Sequence, residues 1–167
     1  MTEPKPFYVR VYFEDTDCGG IVYHTNYIKY CERARSELFY QSGMLPVEGS
    51  SGFVLTHINA SFQKSARLGD LLEVRTTLKE LKNASVIITQ EIFRIQSLEL
   101  TPQSPHVQNL NAPQEPTPQE SILHATQETK EAMGERLFSA EITLAFVDVA
   151  KGRAVKIPAH IAQILKS

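Results

Sequence analysis

The sequence lacks several features that define whole classes of protein. It has no tryptophan and only two cysteines, Cys18 and Cys31, too few for a disulfide scaffold or a four-cysteine zinc site. No apolar run approaches the roughly 18 residues of a membrane-spanning helix. Lys and Arg together number 17 against 19 Asp and Glu, so no positive excess is available to hold nucleic acid. Residues 1–6 contain no apolar signal-peptide core.

What is present is typical of a cytoplasmic protein with one hydrophobic core. The chain has 167 residues, of which 42% are hydrophobic and 22% are charged, the composition of an ordinary globular domain. We therefore expect residues 1–167 to form a single domain with no nucleic-acid partner and no membrane span. Composition alone does not indicate a reaction.

A long helix is predicted over 25–41, with Thr25 or Asn26 as its N-cap. Its apolar residues recur at helical spacing and form one stripe: Tyr27, Cys31, Ala34 and Leu38. The charged residues between them predict a solvated face or a subunit contact: Glu32, Arg33, Arg35 and Glu37. A short second helix is predicted at 159–165, after Pro158.

Alternating apolar and polar residues predict a mainly antiparallel sheet. The predicted strands are 7–13, 54–63, 72–79, 86–95 and 138–146. The short turn at Lys82 and Asn83 predicts a hairpin, and the strand at 86–95 is apolar on both faces, as expected of a central strand. One long helix against such a sheet is an α+β arrangement. Because one helix covers a single face, a second subunit is the simplest cover for the other.

The segment at about 98–134 has a different composition. Five of the nine prolines lie between 98 and 129, Gln and Asn are frequent, and Phe and Tyr are absent. Such a segment buries too little apolar surface to offset the entropy of ordering it. We predict a flexible insert between two paired strands, with a short helix at 122–133 as the alternative for its end.

The densest cluster of polar groups lies at 14–24, between the first strand and the long helix. The N–H groups of a helix's first turn have no intrahelical acceptor, and the helix dipole adds positive charge there. They can stabilise an oxyanion, while Gly19 and Gly20 allow a ligand to approach the backbone. Asp17 can act as a base or a nucleophile. The segment therefore predicts half of an acyl-transfer site.

Two stretches resemble a known family. Residues 11–37 read VYFEDTDCGGIVYHTNYIKYCERARSE and residues 62–74 read FQKSARLGDLLEV. Both are similar to the hotdog-fold acyl-CoA thioesterases of the 4-hydroxybenzoyl-CoA thioesterase type, in the bacterial subfamily associated with the Tol–Pal genes. The resemblance covers 7–97 and 135–157. It implies a hotdog fold, in which a curved antiparallel sheet of about five strands wraps one long central helix.

The resemblance also implies the function and the assembly. We expect hydrolysis of acyl-CoA or acyl carrier protein thioesters in lipid metabolism, with no cofactor and no metal. Proteins of this family form homodimers that often stack into homotetramers, with active sites at the dimer interface. The implied catalytic residues are Asp17, as general base or nucleophile, and His24, whose backbone N–H faces the thioester carbonyl.

Substrate contacts are expected around these two residues. Four of them belong to the same motif: Gly20, Val22, Tyr23 and Asn26. Lys64 and Arg67 are candidates for the phosphates of coenzyme A. The sequence departs from the family at Phe13, where many relatives have Tyr, and at Ser65, where they often have Pro.

Other interpretations of the same residues remain open. Asp17 is also a plausible cap of the turn, and Asp15 is expected to bind turn amides. Asp15, Asp17 and His24 could together hold a metal, and Cys18 could pair with His24 as a nucleophile, although a small residue filling a turn is the simpler interpretation. The alternative function is a non-catalytic protein that binds acyl-CoA or acyl carrier protein, or a scaffold in lipid or envelope metabolism.

Overall fold

The computed structural model describes residues 5–97 and 134–166. The predicted insert, apart from Gly134, and the alternative helix at 122–133 lie outside the described residues. The helices in the described part are α1 (His24–Tyr40) and α2 (Ala159–Lys166), with a 3-10 turn at Phe13–Asp15. The strands are β1 (Lys5–Arg10), β2 (Val47–Glu48), β3 (Ser51–Phe62), β4 (Leu71–Leu81), β5 (Ser85–Gln96), β6 (Glu135–Asp148) and β7 (Arg153–Ala154).

All seven strands belong to one antiparallel sheet. The order is β1-β4-β5-β6-β3-β2, and the short β7 pairs with the end of β6. The predicted hairpin is confirmed, since β4 and β5 pair on either side of Lys82 and Asn83. The predicted central position of β5 is confirmed by its two neighbours, β4 and β6. Four of the strands are long, with 11 to 14 residues each, and they follow the shorter β1 as predicted. The prediction of about five strands did not include β2 and β7, which have two residues each.

The core lies between α1 and the sheet. Tyr27, Cys31 and Ala34 of α1 pack in one buried cluster with residues from the middle of the sheet, among them Val74, Ile88, Phe138 and Ile142. Burying each large apolar side chain contributes about 1.5–3 kcal/mol. A second cluster, Phe39, Phe146, Ile157, Ile161 and Ile164, joins the end of α1 to α2. In the described ranges, no helix has the length and apolar character to cross a membrane.

The apolar stripe of α1 differs from the prediction at two places. Tyr30 and Phe39 are buried, while Leu38 is only half-buried. Tyr30 lies three residues after Tyr27, a spacing that places both on one face of a helix, and their rings are 6.3 Å apart. Phe39 is buried because α2 covers it.

Two boundaries at the start of the chain were predicted wrongly. The first strand ends at Arg10 rather than residue 13, because its pairing ends at Leu71, where β4 begins, and the chain turns into the 3-10 segment. The N-cap of α1 is Tyr23, not Thr25 or Asn26. The Asn26 side chain is already engaged, since its Nδ2 donates to the Asp15 carbonyl at 2.8 Å.

Candidate active site

A tight turn presents Asp17 at the start of α1. The chain doubles back so that Thr16 and Val22 form an antiparallel bridge. The Asp17 N–H donates to the Ile21 carbonyl at 2.9 Å, and the Gly20 N–H donates to the Asp17 carbonyl at 3.0 Å. Gly20 has a φ of +73°, a conformation that glycine adopts without the penalty of a side chain. The paired glycines therefore make the sharp turn possible.

Backbone hydrogen bonds fix this turn against its neighbours. The Asp15 carbonyl accepts from the Tyr23 N–H at 2.9 Å and from Asn26 Nδ2 at 2.8 Å. The Val22 N–H donates to the Ala66 carbonyl at 2.9 Å. The turn is thus tied on one side to the first turn of α1 and on the other to the segment between β3 and β4.

The Asp17 carboxylate is exposed, and only one of its oxygens is engaged. Oδ1 accepts a hydrogen bond from the Gly19 N–H at 2.8 Å. Within the part of the chain that the structure describes, Oδ2 has no hydrogen-bond partner. One oxygen thus orients the carboxylate, while the other is available to a water molecule or a substrate.

The first turn of α1 offers free amide donors beside this carboxylate. The Asn26 N–H donates to the Tyr23 carbonyl at 2.8 Å. The N–H groups of His24 and Thr25 have no acceptor among residues 5–97 and 134–166. The positive end of the helix dipole reinforces them. Two adjacent amides of this kind can bind the oxygen of a polarised carbonyl.

Asp17 and the start of α1 open into one cavity of about 280 Å³. Five of the predicted site residues line it: Asp17, Val22, Tyr23, His24 and Lys64. The His24 ring lies 4.3 Å from the Tyr23 ring and 6.4 Å from the Phe62 ring, between their centroids. The turn, the helix and the segment after β3 therefore converge on the same space.

Three of the predicted contacts lie outside this cavity, and Lys64, which lines it, is engaged by another residue. Gly20 and Arg67 do not line this cavity, and the Arg67 N–H donates to Asp70 Oδ2 at 2.9 Å. Asn26 is buried and donates to the Asp15 carbonyl. Lys64 is exposed and forms an ion pair with Glu135. Their roles in binding a substrate stay predictions.

The neighbouring candidates have simpler roles. Asp15 is buried, and its Oδ2 accepts from the Tyr12 N–H at 2.8 Å, which confirms the expected contact with a turn amide. Cys18 is exposed and forms no disulfide. In residues 5–97 and 134–166, no three His, Cys, Asp or Glu side chains are arranged to hold a metal ion.

Sequence reasoning missed five residues that line the cavity, Ile21, Tyr27, Phe62, Gln63 and Ser65. The Tyr27 hydroxyl accepts from the Ala66 N–H at 2.8 Å, and burial raises its pKa. Phe62 packs 5.8 Å from the Tyr27 ring and is 51% exposed. Phe62 ends β3 and begins the second family-like stretch, and this position was a usable signal that it lies near the site.

Comparison with known proteins gives consistent results. The family model described as the thioesterase superfamily matches residues 19–101. The acyl-CoA thioesterase YbgC of Helicobacter pylori is 51% identical over 96 residues, which span 58% of this chain and 72% of the relative. The 4-hydroxybenzoyl-CoA thioesterase of a Pseudomonas species is 32% identical over 91 residues, 51% of this chain and 64% of that protein. The predicted Tol–Pal association stays a prediction.

Solved structures confirm the hotdog fold. A 1,4-dihydroxy-2-naphthoyl-CoA thioesterase from Synechocystis superposes with a TM-score of 0.70 over 97% of this chain and 95% of that one. Because the sequence identity is 15%, this likeness supports the fold and not the substrate. The predicted α+β architecture is therefore correct.

Proposed function

We propose that this chain, which belongs to the thioesterase superfamily, hydrolyses acyl-CoA thioesters and uses Asp17 as its catalytic carboxylate. The observation that carries the proposal is the shared cavity, in which the exposed carboxylate stands beside the start of α1. A relative that is 51% identical and is named an acyl-CoA thioesterase supports the reaction class.

The proposed hydrolysis uses two amide donors and one carboxylate. The thioester carbonyl accepts hydrogen bonds from the N–H groups of His24 and Thr25, which stabilise the oxyanion that forms during attack. Asp17 Oδ2 either removes a proton from the attacking water or attacks the carbonyl itself. The C–S bond breaks, the thiol leaves with a proton, and one water is consumed to give the free acid.

The proposed active form is an oligomer assembled through β3. In the described residues, β2 pairs only with Ser51 and Gly52 of β3, so the stretch 53–62 has no strand beside it on that side. This edge also carries exposed apolar side chains, Val54, Leu55 and Phe62. An unpaired edge with apolar side chains is a template for pairing with a second copy. Since Phe62 lines the cavity, the partner would help to close the site.

A cytoplasmic location is part of the proposal. Both cysteines are free thiols, which fits a reducing compartment.

The test is hydrolysis of a panel of acyl-CoA thioesters, from short to long and aromatic, measured by release of free thiol. The wild-type chain is expected to turn over part of the panel. Asp17→Asn keeps the shape but removes the charge, and we expect activity to fall by about a hundredfold or more at an unchanged melting temperature. Hydroxylamine distinguishes the two roles of Asp17, because it traps the acyl-enzyme that forms only if Asp17 is the nucleophile.

Glu14→Gln is the matched control, because it removes an exposed carboxylate from the same segment but outside the cavity. Its activity should equal that of the wild type. Equal activity of Asp17→Asn and wild type would remove Asp17 from the mechanism. A wild type inert on the whole panel would contradict the acyl-CoA substrate and favour a binding protein.

A further inference from the structure

A second cavity, of about 580 Å³, lies along α1 beyond the first one. It is open to solvent on one side and is lined by the second half of the helix, the segment 46–55 and the middle of the sheet. Its walls are mostly apolar, with Phe39, Phe53, Val86, Ile88 and Leu144 among them. It shares no lining residue with the cavity of Asp17. Its volume is in the range typical of small-molecule sites.

One positively charged side chain, Arg35, lies in this apolar wall. Arg35 is half-buried, and its Nη1 donates to Gln90 Oε1 at 2.7 Å. Gln90 is itself fully buried, and its Nε2 donates to the Cys31 carbonyl at 2.9 Å and to Thr76 Oγ1 at 2.8 Å. These two bonds fix the orientation of the amide, so that its oxygen is directed at the guanidinium.

Arg35 forms no close ion pair within the described ranges. No carboxylate there lies within 4 Å of its guanidinium, and only one of its five N–H donors has a partner. Glu32 also lines the cavity and attracts the guanidinium from a distance, but its Oε1 accepts from the Ser36 hydroxyl at 2.7 Å and leaves the N–H donors of Arg35 unpaired. Burial lowers the pKa of Arg35 from its ordinary value, yet an arginine remains protonated at neutral pH.

A partly desolvated cation with free donors costs free energy unless an anion pairs with it. The guanidinium presents a planar fork of N–H groups that matches the two oxygens of a carboxylate. The surrounding walls favour an apolar body. We infer that this cavity binds a molecule with an apolar body and a carboxylate that pairs with Arg35.

Such a carboxylate has two sources. One is a free carboxylic acid with an apolar chain. The other is an acyl thioester that carries a second carboxylate at its far end. Both present the same chemistry to Arg35, and the experiment separates them. The inference does not rest on the proposed hydrolysis, because binding is measured without turnover.

The first measurement is titration calorimetry of the full chain with decanoate and, in parallel, with 1-decanol. The two ligands share an apolar chain and differ in the carboxylate. We expect decanoate to bind about tenfold or more tightly than decanol, the scale of one charge-assisted hydrogen bond. Arg35→Met keeps an apolar side chain but removes the charge, and it should abolish this difference. Arg35→Lys should restore part of it.

Arg33→Met is the matched control, because Arg33 is exposed on the same helix and does not line the cavity. It should retain the full preference for decanoate. Equal affinities of the wild type for decanoate and decanol would overturn the inference, and this result needs no folded variant. An equal loss in Arg33→Met and Arg35→Met would overturn it too, since it would show an effect of net charge alone.

The second measurement separates the sources by hydrolysis of an acyl-CoA and of the same acyl-CoA with a terminal carboxylate. A higher kcat/KM for the carboxylated substrate, lost in Arg35→Met and kept in Arg33→Met, identifies the thioester as the source. Calorimetric preference for decanoate without any such difference identifies the free acid. If neither assay shows a dependence on Arg35, the cavity has no carboxylate site. A wild type without hydrolytic activity leaves the calorimetry to decide the inference.

Discussion

The two ends of α1 differ in almost every physical respect. At its start, Asp17 and His24 are exposed and line a cavity of about 280 Å³. Along its second half lies an apolar cavity of about 580 Å³ with the half-buried Arg35 in its wall. Ser36, in that wall, is about 18 Å from His24 along the helix axis at 1.5 Å per residue.

The two proposals assign reaction to the start of this helix and recognition to its second half. Its first turn supplies amides that no helix can satisfy internally, so they are available to a ligand near the exposed Asp17 carboxylate. The amides of its second half are hydrogen-bonded within the helix, so only its side chains are available to a ligand. There the second buried cluster, with Phe39 and Ile161, closes the end of the core, and an apolar cavity forms beside it.

The largest expected difference between the exposed turn and the buried helix face concerns the two thiols. Burial raises the pKa of Cys31 to about 12, so at pH 8 only about one molecule in ten thousand carries the reactive thiolate there. Cys18 is exposed in the turn. We expect an alkylating reagent to label Cys18 at least about a thousandfold faster than Cys31, as measured by mass spectrometry of peptides.

The control for this labelling is the protein in denaturant, where both thiols should react at similar rates. Comparable labelling of both thiols in the native protein would show that the buried face of α1 is open to solvent.

Raising the pH should also destabilise the fold. Because the pKa of Cys31 is higher in the folded chain than its ordinary value of 9.0, its contribution is fully present below pH 9 and is lost as the pH rises toward 12.

The next largest effect is expected at the proposed dimer edge, which lies between the two ends. Leu55→Lys places a charge on the open side of β3, where Leu55 is 44% exposed. Each copy loses one apolar contact, roughly 1.5–3 kcal/mol, and a two-fold interface loses it twice. The dissociation constant should therefore rise by about a hundredfold or more, measured by analytical ultracentrifugation.

Leu45→Lys is the matched control, because Leu45 is 61% exposed but precedes the strands that form the edge. It should leave the assembly unchanged. A wild type that sediments as a monomer at all concentrations, or a Leu55→Lys variant that assembles normally, would contradict association through β3.

A smaller effect is expected from Gln90, which links Arg35 to the helix backbone. Gln90→Leu keeps the volume but leaves the Cys31 carbonyl, the Thr76 hydroxyl and Arg35 without this partner. The free energy of unfolding should fall by about 1–3 kcal/mol, as measured in urea. Gln63→Leu removes an exposed hydrogen bond to Ser139 and should change it by less than about 0.5 kcal/mol. Equal effects would mean that the buried network contributes nothing.

The same contrast explains what the sequence could predict. The spacing of residues within one element was sufficient to predict the buried stripe of Tyr27, Cys31 and Ala34. It also predicted the alternation along β6, because both patterns depend only on neighbours in the chain. The hairpin at Lys82 and Asn83 was predicted for the same reason. The motif around Asp17 could be located because all its parts lie within a few residues of one another.

The remaining features depend on residues far apart in the chain. Arg35 was predicted to lie on a solvated face or a subunit contact, and its half-burial follows from Gln90, which is 55 positions away. Phe62 enters the site cavity because β3 ends beside α1. No local pattern contains these contacts, since each forms only when the sheet closes around the helix.

The smallest expected effect distinguishes the backbone of His24 from its side chain. His24→Ala removes the imidazole but keeps the N–H group at the start of α1, so if the amides polarise the carbonyl, kcat/KM should fall less than about tenfold, well below the hundredfold expected for a lost base. The measurement is thiol release in the same assay as for Asp17→Asn, with His24→Gln as a control that keeps a polar side chain. A loss in His24→Ala as large as that in Asp17→Asn would assign the proton transfer to the imidazole. In that case the exposed end of α1 would act through two side chains, and the free amides would only bind the substrate.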